Sequence, residues 1–301
     1  MRPKKKSPAR PTEASRDRPE RARSPRRRCV IALSLTQKVG PFGRKKAWML
    51  HFSAVEKART TTATPEDYLR KAMLAESPVS RARFARRGLA TPAPLDRTTH
   101  AMLLRQLYLS HFETKRFRKA HEIALQALEL DVLSDVIHQD AARAAFAAGD
   151  LDEAVVHLRT AARRCPASRR PFHLWTLGST LFLGQRYLEA SAALSRAVRW
   201  GTRDKPLYRA HLALARIAAG ERVDPTDLQE TIDELADAPC GQGYGRFVLG
   251  HLAYAAREWA VAKRYLDAFV KRTESGRVAT GIALAGELRM ARATLAKMRA
   301  N

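Results

Sequence analysis

Cysteine is scarce in this chain: three residues in 301, Cys29, Cys165 and Cys240, far apart and odd in number. That excludes a disulfide framework, and the lack of any CxxC pair excludes the usual structural zinc arrangement. A reducing cytoplasm suits such a chain. Long apolar runs are missing too, and none approaches the roughly 20 residues a membrane helix needs. Residues 29–35 follow the basic run Arg26-Arg27-Arg28, but Thr36-Gln37-Lys38 ends the stretch with no clean cleavage site after it, so it does not read as a secretory leader. Acidic residues are outnumbered, 30 against 55 basic ones, for a net charge of +25. The excess is uneven. Residues 1–48 hold 16 basic and 3 acidic side chains, and the other 253 residues hold 39 and 27. Half of what would suggest a nucleic-acid binder therefore belongs to a short front segment. Arg outnumbers Lys 41 to 14, the mark of a GC-rich, bacterial coding sequence, and this ratio carries no mechanism.

What is present divides the chain. Residues 1–28 are rich in Pro, Arg, Lys and Ser and almost devoid of large apolar side chains. Such a segment buries too little area to offset its ordering entropy and is expected to be disordered. Three readings of it stand: a basic arm for nucleic acid or an acidic partner, a plain tail, or a stretch bypassed by translation from Met49. With the Thr-rich linker that follows, residues 1–62 are assigned as tail and linker. From Pro65 on, helix formers dominate, with breaks such as Thr91-Pro92-Ala93-Pro94, Gly149-Asp150, Cys165-Pro166 and Gly220. No alternating apolar/polar run bounded by hairpin turns occurs, so the chain reads as all-α, with helices of about 12–15 residues.

The helices repeat in pairs. Leu104, Leu107 and Tyr108 precede a turn and then Phe117, Ala120 and Ala127; His138, Ala141 and Ala142 precede Gly149, Leu151, Ala154 and Ala161. Leu177-Gly178 leads to Tyr187, Ala190 and Ala197; Leu212-Ala213 to Leu228 and Ile232; Leu249-Gly250 to Trp259, Ala262 and Leu266. The spacing is 34–37 residues. A small residue on the first helix of each pair allows the second to approach, with Ala on the second helix expected in the notch. The Leu-small pairs and the aromatic-x-x-Ala starts resemble the tetratricopeptide repeat family over residues 98–275. The resemblance implies an α-α superhelix, a solenoid of about five repeats. Residues 63–97 are then a degenerate leading pair, and 277–301 a single C-terminal capping helix running from Val278 to Met298.

Nothing in the spacing points to catalysis, a cofactor or a metal. No pair of the nine histidines is separated by four residues, and His121-Glu122 lacks a second His at metalloprotease spacing. His138 reads as a core or capping residue. Gly241-Gln242-Gly243-Tyr244-Gly245 follows a helix rather than a strand, which makes it a helix stop and not a phosphate loop. The chain is therefore expected not to be an enzyme.

In the repeat family the first helices of the pairs line a concave groove. The resemblance places Arg105, Gln139, Arg143, Phe172, Trp175, Ser179, Phe182, His211, Tyr244, Phe247, His251 and Tyr254 there. Such an aromatic surface suits a helix or an extended peptide with bulky side chains. The carboxylate clamp of some family members is not expected, because among the corresponding places only Arg105 suits an anion and Asp140 repels one. The expected function is a cytoplasmic, non-catalytic protein-interaction scaffold. The alternative is a nucleic-acid-associated repeat protein using the basic tail and surface Arg. It would differ by a steep loss of binding with salt and by dependence on residues 1–48.

Overall fold

The computed structural model describes residues 63–300; the readings made for the tail and for residues 1–62 lie outside the described residues. Among the described residues the regular elements are all helical. They are α1 (Pro65–Met73), α2 (Pro78–Leu89), α3 (Arg97–Glu113), α4 (Phe117–Leu128), α5 (Ser134–Ala148), α6 (Leu151–Arg164) and α7 (Arg170–Leu183). After these come α8 (Tyr187–Trp200), α9 (Lys205–Ala218), α10 (Pro225–Asp237), α11 (Gly245–Ala255), α12 (Trp259–Glu274), α13 (Val278–Ala283) and α14 (Ala285–Ala300). Each helix packs on the one before and the one after it. The odd-numbered helices also touch across the pairs, α1 on α3, α3 on α5, α7 on α9 and α9 on α11.

Local chemistry sets the boundaries. Thr64 and Asp67 form a reciprocal capping box at the start of α1, Asp96 accepts from the Thr98 and Thr99 amides, and Asp150 accepts from the Glu153 amide. These caps satisfy amides that have no partner inside the helix.

The turn inside each pair is the same five times. A residue in the left-handed region sits at Lys115, Gly149, Gln185, Gly220 and Arg257, with φ between 58° and 94°. In each case its amide and the next one close back onto the end of the preceding helix, as Gly149 does onto the Phe146 carbonyl and Asp150 onto that of Ala145. The pattern is a helix C-cap of the Schellman kind. Only two of the five turns use glycine. A Cβ at Gly149 or Gly220 would meet nothing within 4 Å, so replacement there has a purely conformational effect. Gly149→Ala is expected to lower the unfolding free energy by about 1 kcal/mol, measured by urea denaturation with an unchanged m-value.

The interior forms two apolar clusters that meet at α5, whose Ala141 and Ala144 belong to the first and whose Ala142 and Ala145 belong to the second. Close approach within pairs depends on small residues, but the notch is not filled by alanine. A Cβ on Gly178 would stand 2.5 Å from Leu194 Cγ, and one on Gly250 the same distance from Leu266 Cγ. A leucine of the second helix lies directly over each glycine.

The C-terminal stretch is not the single helix expected for 277–301. It breaks at Leu284 into α13 and α14. The break lets Ile282 of α13 pack on the first apolar cluster, against α3, while α14 packs on α11 and α12. Gly286 permits the crossing, since a Cβ there would stand 3.2 Å from Leu183 at the end of α7.

Candidate functional site

The face built by α3, α5, α7, α9 and α11 is where the sequence places a binding groove. Its first part is ionic and closed on itself. Arg105 Nε donates to Asp140 Oδ2 at 2.5 Å, and Arg143 Nη1 stands 3.6 Å from Asp140 Oδ1. Asp140 is buried, and Arg105 is almost so. Thus Asp140, which disfavours a carboxylate ligand, also occupies the guanidinium that was suited to one. Gln139 and Arg143 remain half-buried beside the pair.

The second part is aromatic. Trp175 Nε1 donates to His211 Nδ1 at 3.2 Å, and the Tyr244 ring stands edge-on to Trp175 with centroids 5.0 Å apart. The Tyr244 and Ser179 hydroxyls meet at 2.8 Å although 65 residues separate them. Phe182 packs edge-on to His211, and Phe247 lies between Tyr244, His251 and Phe269.

This packing corrects five of the twelve residues expected in the groove. Ser179, Phe182, His211, Phe247 and His251 are buried, Phe247 and His211 completely, and offer no side-chain surface to a partner. The reason is geometric: α7, α9 and α11 converge until Ser179 and Trp175 of α7 touch Tyr244, the residue just before α11. Trp175, Tyr244 and Tyr254 are half-buried, with Tyr254 against the Trp259 ring, and Phe172 is 40% exposed.

Burial sets the electrostatics of this part. It pushes the His211 imidazole down to about 3, helped by the neighbouring His251, and His251 down to about 4. Both rings are neutral in the fold. Since Nδ1 of His211 accepts from Trp175, its Nε2 carries the proton and has no partner. Glu287 from α14 is buried next to the Tyr244 hydroxyl, and that burial raises its carboxyl to about 7. The segment α13–α14 therefore reaches α3, the end of α7 and the start of α11 in turn.

Away from this face, α4, α5 and α6 bring three histidines together. His121 Nε2 is 3.4 Å from His157 Nε2, and His138 Nδ1 is 3.0 Å from His157 Nδ1. Glu153 Oε1 lies 3.0 Å from His157 Nε2 and 4.0 Å from His121 Nε2. A search for histidine pairs four apart passes over this group, because the pair at that spacing is Glu153 with His157. The remaining signal was near-repeat spacing: His121 and His157 lie on the second helices of successive pairs, 36 residues apart where the pairs themselves align at 34. Comparison with protein-family models and with curated proteins finds no match to this chain.

Proposed function

We propose that the chain is a non-catalytic protein-interaction scaffold of the tetratricopeptide type, a solenoid that holds a helix or extended peptide along the face of its odd-numbered helices. The recurring left-handed turn at 34–37-residue spacing and the packing of each helix on its chain neighbours support the solenoid, because stacked repeats bury their faces against adjacent ones; the contacts of α13 with α3 and of α14 with α7 come from the segment after the repeats. The observation that carries the binding role is that this face already accepts a helical segment: α13 rests on α3, and α14 seats Glu287 beside Tyr244. Phe172 provides an apolar anchor left uncovered by that segment. Three scattered cysteines, of which Cys165 and Cys240 are free, and the Arg-rich coding bias support a bacterial cytoplasmic setting.

The test is capture of partners from the native cell by the full chain and by a Phe172→Asp/Gln139→Ala variant. Both substituted positions are at least partly exposed, so the variant should match the parent's stability within about 1 kcal/mol. It should lose the proteins that the parent retains. Capture of the same set by both would overturn the reading. So would nucleic acid as the sole retained material, released by salt and lost on removing residues 1–48.

A further inference from the structure

The histidine group on α4–α6 has the atoms and spacing of a metal centre. We infer that His121 Nε2, His157 Nε2 and Glu153 Oε1 bind a divalent transition ion of the zinc type, and that His138 positions His157. The three donor atoms are separated by 3.4, 3.0 and 4.0 Å. A triangle with those edges has a centre about 2 Å from every corner, the length of zinc–imidazole and zinc–carboxylate bonds. Two imidazoles and one carboxylate form a donor set that zinc favours over calcium or magnesium, which prefer all-oxygen shells.

The helices supply this geometry without distortion. Glu153 and His157 are one turn apart on α6 and share a face, so their side chains converge. His121 comes from α4, the second helix of the preceding pair. The fourth side of the group is open to water, because the Glu153 side chain is 40% exposed and that of His121 21%, against 7% for His157. Three protein donors and one open position describe a site that is completed by solvent or by a ligand.

His138 completes the design from behind. A metal on Nε2 requires the proton of His157 to sit on Nδ1, and that proton then points at His138 Nδ1, 3.0 Å away. His138 accepts it as the tautomer protonated on Nε2. Metal-binding histidines commonly donate their other N–H in this way, which fixes ring orientation. The site lies on α4 and α6, away from the odd-helix face, and so does not depend on the binding role proposed above.

The experiment uses the full chain stripped of metal by a chelator and then titrated with Zn2+ and, separately, with Co2+. The expected result is one ion per chain, with a visible absorption band for Co2+ that Zn2+ displaces. His121→Gln and Glu153→Gln should each weaken binding by more than about ten-fold, with the melting of the metal-free protein unchanged. His157 is buried and its replacement threatens folding, so these two more exposed ligands carry the test. His138→Phe should weaken Zn2+ by roughly 10–100-fold while keeping the stoichiometry and the cobalt band. The assignment is overturned if the parent binds no Zn2+, or if His121→Gln and Glu153→Gln bind it as tightly as the parent.

Discussion

Phe247→Ala is expected to remove about 3–5 kcal/mol of stability, enough to unfold a marginal domain. The ring is completely buried and touches Tyr244, His251 and Phe269. Truncation forfeits the transfer free energy of the aromatic atoms and leaves a cavity that its neighbours cannot close. They are held from both sides, by the α12 interface through Phe269 and by the Tyr244 contacts to Trp175 and Ser179. Phe172→Ala, by contrast, should cost under about 1 kcal/mol, because that ring is already partly in water. Urea denaturation followed by far-UV circular dichroism separates the two. A loss below about 1 kcal/mol for Phe247→Ala would show that the ring does not occupy the interior. The contrast has a practical consequence: loss of binding in a Phe247 variant reports unfolding, whereas loss in a Phe172 variant reports the face.

The same two rings show where the sequence stops being informative. Both occupy first-helix positions of their pairs, and periodicity alone treats them alike. Which one is exposed depends on how closely successive odd helices converge, a long-range quantity without a local pattern. The repeat itself was legible because its cause is local: small residues where helices meet, and a leucine or aromatic at each flank. The turns were only partly legible. Gly149 and Gly220 announce themselves, but Lys115, Gln185 and Arg257 adopt the same left-handed conformation, set by main-chain hydrogen bonds rather than by residue type. The break at Leu284 was hidden for a related reason. The 278–298 stretch has helical composition throughout, and it is interrupted by its packing on α3 and on Leu183, both distant in sequence. His121, His138 and His157 are likewise joined only by the stacking of α4, α5 and α6.

Glu287→Gln is expected to stabilise the protein by about 3 kcal/mol at pH 8 and to have almost no effect at pH 4.5. Burial raises the folded carboxyl to about 7 from an ordinary 4.5, while its own backbone amide, the hydrogen bond with Tyr244 and the charge of Arg289 only partly offset it. Well below the ordinary value the group is neutral in both states; at 4.5 it is half ionised in the unfolded chain, which amounts to only about 0.4 kcal/mol. Between the two values the unfolded chain gives up the proton first, so stability falls as pH rises. Above about 7 the full penalty persists. His211 and His251 have the opposite sign. Their folded values of about 3 and 4 lie under the ordinary 6.5, so their contribution is complete above 6.5 and is lost as pH falls toward 4 and then 3. In the parent these slopes oppose each other from pH 4.5 to 6.5. Glutamine is uncharged, keeps a hydrogen-bonding group beside Tyr244 and removes the opposing slope between about 4.5 and 7, so the variant should gain stability steadily from acid to neutral pH. Urea midpoints at pH 4.5 and 8 for both proteins measure the difference. Equal stability at pH 8 would mean that the carboxylate is hydrated and that α14 does not bury it against the odd-helix face.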